Sequence, residues 1–587
     1  MNRLLACALL ALPAFPAGVR VLFDPSTPET GPFPTDALTV ADARQRTGRR
    51  INLPLPDCRT EPSTCAERTL LNQYDGFDPA QRATVRFSGA IQPETLRAGV
   101  VFVWLDSLAP REFNLGAAGT TSPGNEFVYD PATSTGYARP DQIFDQMRRY
   151  AIVVTDAVRD TAGDPVEADL AFTACSDGSA SSAYCRDLSQ QMPALRAAVR
   201  NGRIVGASVY TTMAATSFME GARAAIQGST LNFARLPGKS IFEARNIKQI
   251  DFRRQVATRG DNRFVDQSLP APPGLLAQVG IGKAVFGTYR SPRFLDARQL
   301  IPTTPSGEPV TLPAQSDTIS FHAFLPVTPA PASGYPVVIA GHGFGDDRFG
   351  MPSVLAAGMA GAGYAVIAIN AVGHGYGPES TVRVTENDGT VTELPAGGRA
   401  VDILGNGALD NAAGCIAIYP DSPTYLRDCL RQTVLDTAQL VRLIRSGADL
   451  DGAGRATFDP NRIAYLGQSM GSFFGAALLA IEPDIPVGVL NVGGDSFVFA
   501  ARFSAGFRTL INAYCGGRVP RLINAEGSCA DNMPIRYEPV RVNDQAGAIQ
   551  RQNLFETIKW MEAPASSGNF APHLKSATLP GVPIKRV

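Results

Sequence analysis

Residues 463–481 read IAYLGQSMGSFFGAALLAI, an apolar run that is interrupted by a serine with a glycine two residues away on either side. The first four residues suit a buried strand, whereas the Ala- and Leu-rich residues after Met470 suit a buried helix. Between the two, Gly467 and Gly471 flank Ser469 in the pattern Gly-x-Ser-x-Gly. A strand that turns this sharply into a helix leaves room only for glycine beside the serine, whose hydroxyl is held exposed at the helix N-terminus. The context therefore predicts that Ser469 is a nucleophile.

A second glycine-rich motif, GHGFG at 341–345, directly follows the apolar stretch PVVIA. Attack on a carbonyl group places negative charge on its oxygen, and two backbone N–H groups must point at that oxygen. One should come from Met470, the residue after the serine, and the other from this loop. We predict that Phe344 is the loop donor, with Gly343 as the next candidate, and that His342 fixes the loop rather than acting as a base.

Apolar strands alternate with helices from about residue 316 onward, which predicts a parallel sheet covered on both faces. Residues 497–578 depart from this alternation and are predicted to form a cap over the edge of the sheet that carries the serine. The predicted strands are 319–324, 336–340, 364–369, 463–466 and 486–492, and the predicted helices are 351–361, 426–445 and the one that follows Ser469.

Residues 18–185 lack helical periodicity and contain short alternating stretches, at 83–88, 100–104 and 150–155, separated by turn residues. Strands at this spacing predict a small β-sandwich, and the stretch YAIVVTDAVRDTAGDPV resembles the final strands of bacterial immunoglobulin-like domains. Residues 186–315 are interpreted as a helical bridge, up to about residue 230, followed by Pro-rich loops that wrap onto the next domain.

The first 17 residues, MNRLLACALLALPAFPA, combine a positive tip with a short apolar run, which is typical of an export signal. Leu4-Leu5-Ala6-Cys7 also resembles a lipobox, although Cys7 precedes the apolar run that it should follow. Beyond residue 17 no apolar run is long enough to span a bilayer. The sequence thus predicts a secreted or cell-surface protein, with lipidation of Cys7 as the one route to membrane attachment.

The other eight cysteines fall into four close pairs, as exported proteins use to staple local loops. Zinc sites need shorter spacings or added histidines, and neither is found here. The predicted disulfides are Cys58–Cys65, Cys175–Cys185, Cys415–Cys429 and Cys515–Cys529.

Charge and composition exclude several other classes of protein. Lys and Arg total 53 against 54 for Asp and Glu, so there is no basic footprint for nucleic acid. The stretch DLDGAG at 449–454 is similar to a calcium loop, with Asp449 and Asp451 as ligands. Ala453 stands where a third ligand is expected, which favours a solvated turn. We therefore predict no metal and no cofactor.

Four stretches, VRFSGAIQPETL (85–96), GHGFG, GQSMGS and LPGVPIKRV (579–587), resemble the α/β-hydrolase superfamily and, within it, the large exported lipases called bacterial virulence factor lipases. The resemblance implies an α/β-hydrolase domain at 316–587 behind the β-sandwich. It also implies hydrolysis of acyl esters, of lipids or polyesters, through an acyl-enzyme. A serine peptidase of the same fold is an alternative, as is a non-catalytic surface-binding protein. Oligomeric state is not predicted.

The histidines depart from the superfamily pattern, in which an acid and then a histidine follow the serine. Only His573 follows Ser469, and it stands just before the apolar stretch VPIKRV, which resembles the strand that should precede the acid. The chain ends there, which predicts a sheet truncated at its C-terminal edge and the loss of both the acid and the histidine. In the competing interpretation, Asp495 is the acid and His573 is the base.

Overall fold

The structure is a computed structural model that describes residues 18–106, 119–199, 202–268, 279–416, 422–575 and 578–587. The predicted leader at 1–17, with Cys7, lies outside the described residues. In the parts of the chain that are described, no helix is long and apolar enough to cross a membrane.

The N-terminal part is built on a seven-stranded sheet whose neighbouring strands are antiparallel, except that Arg541–Val542 pairs in parallel with Thr121–Asp130, a strand in the interior of the sheet order. Helices pack against both faces of this sheet, and two small strand pairs lie beside it. In sheet order, the other strands are Ile204–Thr211, Arg149–Thr155, Val100–Trp104, Thr121–Asp130, Thr135–Pro140 and Ala83–Arg86. The helices are Pro62–Leu71, Leu96–Gly99, Leu170–Ser176 and Ala183–Ala198, and the strand pairs are Arg20–Val21 with Glu167–Ala168 and Thr39–Ala41 with Arg49–Ile51.

The structure does not confirm an immunoglobulin-like sandwich at 18–185. The strand Ile204–Thr211 completes this sheet from beyond the predicted boundary, because it pairs along Arg149–Thr155. The helix Ala183–Ala198 packs Leu188 and Leu195 onto one face of the sheet, where a sandwich would place a second sheet. The sheet therefore continues past residue 185.

Residues 231–315 were predicted as loops, and this prediction is wrong. They contain the strands Phe233–Arg235, Ile241–Glu243, Ile247–Gln255, Phe264–Ser268 and Ile281–Pro292, and the helix Ser217–Ile226 precedes them. Glycines that interrupt the apolar pattern have packing roles here. A Cβ on Gly287 would lie 2.5 Å from the Phe321 ring of the neighbouring strand, so a glycine is needed inside this strand.

The second large sheet is eight-stranded and mixed. Its four strands around the serine are parallel, as predicted, and antiparallel strands extend it on one side. In sheet order the strands are Phe233–Arg235, Ile281–Pro292, Ser316–Pro326, Ala365–Ile369, Tyr335–Gly341, Phe458–Gln468 and Val487–Asn491, with Ile241–Glu243 also paired to Ile281–Pro292.

Both faces of this sheet are covered, in agreement with the prediction. Along the strand Tyr335–Gly341, Val337 and Ile339 face the core that contains the helices Ser422–Arg445 and Met470–Ile481. Val338 and Ala340 face the opposite core, which contains the helix Met351–Gly361. That second core is closed by a four-stranded sheet of Phe264–Ser268, Ile247–Gln255, Thr381–Glu386 and Val391–Pro395.

The segment predicted as a cap, 497–578, contains several helices and a non-helical stretch at 518–547, and it is also tied to the N-terminal sheet. Trp560 stacks on Phe77 with ring centroids 5.3 Å apart, and Lys559 Nζ lies 2.6 Å from Asp78 Oδ1. The segment thus joins both halves of the molecule, which a simple lid would not do. Its helices are Phe497–Phe503, Arg508–Gly517, Ala548–Glu562, Ser567–Phe570 and Pro572–Lys575.

All four predicted disulfides are formed. The paired cysteines are separated by 7 to 14 residues, so each bond closes a local loop. Such staples stabilise a fold mainly by restricting the unfolded chain.

Candidate active site

Ser469 lies in the turn between the strand Phe458–Gln468 and the helix Met470–Ile481. Its backbone has φ 52° and ψ −115°, a strained conformation that residues other than glycine rarely adopt. A Cβ on Gly467 would lie 2.2 Å from the Gly471 carbonyl oxygen, so a side chain is excluded there. The turn thus has the form that the Gly-x-Ser-x-Gly context predicts.

The start of the helix supplies polarity at the serine. The Ser469 N–H donates to the Asn491 carbonyl at 2.9 Å, which ties the turn to the neighbouring strand. Met470 is the first residue of the helix, so its N–H has no acceptor within the helix. The helix dipole adds partial positive charge at the same end. The predicted donor at Met470 is therefore free of helical hydrogen bonding.

The loop after Tyr335–Gly341 reaches the serine. A Cβ on Gly343 would lie 3.5 Å from Ser469 Cβ and 4.0 Å from Ser469 Oγ. The GHGFG and Gly-x-Ser-x-Gly motifs, 126 residues apart at Gly343 and Ser469, therefore meet at one point of the sheet.

His342 holds this loop in place. The Ala371 N–H donates to His342 Nε2 at 2.9 Å, so the opposite nitrogen, Nδ1, carries the proton and donates to the Gly343 carbonyl at 2.9 Å. In a trans peptide the C=O and the next N–H point in opposite directions. The hydrogen bond from His342 therefore directs the Phe344 N–H away from the histidine. Burial lowers the pKa of His342, which keeps the ring neutral.

Aromatic side chains of the 497–575 segment pack directly on the loop. The Phe344 ring lies 5.6 Å from the Phe497 ring and 5.7 Å from the Phe507 ring. The His374 ring also lies 5.7 Å from the Phe344 ring, and burial lowers the pKa of this histidine to about 3. This part of the segment thus lies beside the serine, as a cap would.

Asp495 and His573 have other partners. The Ser566 hydroxyl donates to Asp495 Oδ1 at 2.8 Å. The nitrogen of His573 that would take a proton from the serine, Nε2, lies 2.9 Å from the Gln146 amide nitrogen. The geometry thus lends no support to the competing Ser469–His573–Asp495 interpretation.

A polar cluster around Asp495 was not foreseen from the sequence. Lys559 Nζ lies 3.9 Å from Asp495 Oδ2, and the neighbouring Glu562 accepts hydrogen bonds from the Ser496 hydroxyl and the Val498 N–H. Burial raises the pKa of Glu562 to about 7. These residues meet only through the docking of the helix Ala548–Glu562, so no local pattern could have revealed them.

The weak calcium candidates form a turn. The Asp449 carboxylate accepts N–H groups from Ala453 and Gly454 at 3.0 Å each. Asp451 accepts from the Thr457 hydroxyl at 3.0 Å and faces a lysine. Aspartate side chains that accept nearby backbone N–H groups are typical of turns.

One group with the spacing of metal ligands was not predicted. His374, Cys415 and Cys429 offer ligand atoms within 4.8 Å of one another. The two sulfurs are joined in a disulfide, which removes the thiolates that a metal would need. The disulfide thus explains why these ligand atoms lie close together.

The stretch VPIKRV lies beside the last strand of the sheet. Arg586 forms a parallel bridge to Val487, with the Gly488 N–H donating to the Arg586 carbonyl at 2.9 Å. Lys585 Nζ donates to the Glu482 carbonyl at 2.6 Å and to the Ile485 carbonyl at 2.8 Å. This stretch is therefore paired where the sequence predicts the next strand.

No family model and no curated protein matches the chain. Among solved structures, the chain is similar to acetyl xylan esterase 1 from Thermoanaerobacterium sp. JW/SL YS485, with 13% identity and a TM-score of 0.31 over 62% of this chain and 75% of the other. An acetyl xylan esterase from Paenibacillus sp. R4 has 14% identity and a TM-score of 0.30, over 64% and 87% of the two chains. Likeness at this level carries no information on substrate, and the resemblance to virulence factor lipases has no counterpart in these comparisons.

Proposed function

We propose that the chain is an exported serine hydrolase with an α/β-hydrolase domain, which cleaves carboxylic esters of lipids or polyesters through an acyl-enzyme on Ser469. The observation that carries this proposal is the strained backbone of Ser469 between a parallel strand and a helix, with the Gly343 loop beside its hydroxyl. Strain of this kind is found where the surrounding structure holds a functional residue in place.

The proposed reaction needs the serine, a general base and two backbone donors. The Ser469 hydroxyl attacks the ester carbonyl as a general base takes its proton, and the N–H groups of Phe344 and Met470 stabilise the oxyanion. The alcohol leaves, and water then releases the acid from the serine. This sequence of steps requires no cofactor.

Export is supported by the cysteines. All eight that form pairs in the sequence are oxidised in the structure, and disulfides persist in oxidising compartments. The cytosol would reduce such bonds.

The reaction class is tested by comparing esters with amides. The purified protein should hydrolyse nitrophenyl esters of acetate, butyrate and octanoate and leave peptidyl nitroanilides intact. Comparable kcat/KM values on the anilides would favour the peptidase alternative. If no substrate is cleaved and no phosphonate adduct forms on Ser469, the surface-binding alternative is supported instead.

A further prediction concerns His342. His342→Ala should lower kcat for ester hydrolysis by about 10- to 100-fold with little change in KM, because the Phe344 donor acts mainly on the transition state. His342→Asn should retain more activity, since its amide can donate to the Gly343 carbonyl in place of Nδ1.

The matched control for His342 is His322, another histidine that is 1% exposed. Its ring stacks on Phe349 at 5.2 Å, and neither nitrogen has a hydrogen-bond partner among the residues described. His322→Phe should therefore keep kcat unchanged. Equal losses of kcat in His342→Asn and His342→Ala would contradict the role of the hydrogen bond to Gly343.

A further inference from the structure

Asn411, in the loop at 397–416, is hydrogen-bonded to the end of the oxyanion loop, which we define as residues 341–345. Its side-chain nitrogen, Nδ2, donates to the Gly345 carbonyl at 3.0 Å. Its side-chain oxygen, Oδ1, accepts the Gly375 N–H. An N–H group can donate only to the oxygen of the amide, so the bond from Gly375 fixes the nitrogen toward Gly345. Asn411 thus joins the oxyanion loop to a neighbouring turn.

Phe344, the proposed donor, lies between two carbonyls that side chains hold. The Gly343 carbonyl accepts from His342 Nδ1 at 2.9 Å, and the Gly345 carbonyl accepts from Asn411. The Phe344 N–H belongs to the same planar peptide unit as the Gly343 carbonyl. This unit can rotate only if the neighbouring peptides rotate with it. Asn411 therefore restrains the donor from the side opposite to His342.

Two attachments hold Asn411 in place along its own loop. Before it, the Leu409 N–H donates to the Val256 carbonyl at 2.8 Å. After it, Cys415 forms a disulfide with Cys429, and both cysteines are buried in the core of the larger sheet. Cys415 is only four residues further along the chain than Asn411. The disulfide thus fixes where Asn411 lies relative to that core.

The turn that donates to Asn411 is held without the disulfide. The Val372 N–H donates to the Thr433 hydroxyl at 3.0 Å, and the Ala371 N–H donates to His342 Nε2 at 2.9 Å. Thr433 belongs to the helix Ser422–Arg445. Loss of the disulfide would therefore loosen the 397–416 loop but leave this turn in place, so its effect should pass through Asn411.

We propose that Asn411 is a positioning residue for the oxyanion donor and that the Cys415–Cys429 disulfide keeps it in place. This inference rests on the proposed ester hydrolysis at Ser469. It makes hydrolysis dependent on one particular disulfide of the four. The oxyanion site is then complete only in a chain in which Cys415 and Cys429 have been joined.

The first test compares two asparagines of the same loop. Asn411→Ala should lower kcat for a nitrophenyl ester by about 5- to 20-fold and change KM by less than about twofold, because the donor acts mainly on the transition state. Asn406 is exposed, and its side chain accepts the Ala408 N–H at 2.9 Å. Asn406→Ala should keep kcat unchanged. Equal kcat values in the two variants would overturn the role of Asn411.

The second test asks whether the disulfide acts through Asn411. Cys415→Ala/Cys429→Ala should lower kcat by about 3- to 10-fold in the parent but by less than about twofold in the Asn411→Ala protein, since changes that act through one contact are not additive. Cys175→Ala/Cys185→Ala removes a disulfide between two helices of the N-terminal part and should leave kcat unchanged.

Two outcomes of this second test would overturn the role of the disulfide. One is a loss of kcat that multiplies with the loss in Asn411→Ala. The other is a Cys415→Ala/Cys429→Ala protein that is unfolded by circular dichroism, because the bond would then hold the whole domain rather than Asn411.

Hydrogen exchange separates this inference from the proposed function. A parent protein that cleaves no ester would contradict the function, but exchange of the peptide at 341–350 requires no activity. Exchange of this peptide should be faster by about fivefold in Asn411→Ala and unchanged in Asn406→Ala, because one hydrogen bond of the loop is lost only in the first. Equal exchange in both variants would overturn the contact between Asn411 and the oxyanion loop.

Discussion

Replacing Ser469 with alanine should lower kcat for ester hydrolysis by roughly 10⁴- to 10⁶-fold, the loss expected when the nucleophile of a serine hydrolase is removed. The reason is that Ser469, which is partly exposed, lies in the strained turn at the helix N-terminus. A fluorophosphonate probe should label the parent protein on the peptide that contains Ser469 and should leave the alanine variant unlabelled.

Ser472 provides the matched control, three residues further along the same helix. It is 2% exposed, and its hydroxyl oxygen lies 2.7 Å from the carbonyl oxygens of both Gly467 and Asn491, to either of which it can donate. Ser472→Ala should retain the label and lose on the order of 1 kcal/mol of stability. Full-strength labelling of the Ser469→Ala protein would refute the assignment of the nucleophile.

A second substitution at the same position tests the strain itself. Ser469→Gly should be as inactive as the alanine variant but more stable, since glycine adopts a φ of 52° without strain. The expected gain in the free energy of unfolding is about 1 kcal/mol, measured by denaturant unfolding. An unchanged stability would show that the turn is not strained in solution.

Features that depend on a few neighbouring residues could be predicted from the sequence. The helix Met351–Gly361 was predicted with the bounds that the structure shows, because its apolar run is framed by a Pro at its start and a Gly at its end. The turn at Ser469 was predictable for the same reason: glycine is needed at 467 and 471 whatever the rest of the chain does.

Features that depend on distant partners could not be predicted. The strand Ile204–Thr211 follows two helices, and only its pairing with Arg149–Thr155 assigns it to the N-terminal sheet. The strand Ile281–Pro292 contains Gly282, Lys283 and Gly287, which weaken any local strand pattern. The cluster of Asp495, Lys559 and Glu562 likewise exists only after a helix docks.

A buried ion cluster lies between the two halves of the molecule. We expect substitutions in this cluster to lower the free energy of unfolding more than substitutions elsewhere. Asp428 is fully buried, and its carboxylate is 2.8 Å from Arg427 and 2.9 Å from Arg431. It also accepts the Ile301 N–H at 2.9 Å, while Arg427 donates to the Tyr74 hydroxyl of the N-terminal part. One carboxylate thus holds two guanidinium groups at the junction.

Asp428→Asn should lower the free energy of unfolding by about 3–5 kcal/mol, because it leaves two buried arginines without a counter-charge. Asp317 provides the control: its pair with Arg293, at 3.6 Å, is partly exposed, so Asp317→Asn should cost less than about 1 kcal/mol.

Burial acts to raise the pKa of Asp428, but the two arginines outweigh it and the pKa is lowered. The stabilisation is therefore present above the unfolded pKa of about 3.9 and is lost as the pH falls through the lower folded value. The difference between parent and Asp428→Asn should be constant above about pH 5 and shrink in acid; a small, pH-independent difference would show that the arginines are satisfied without the carboxylate.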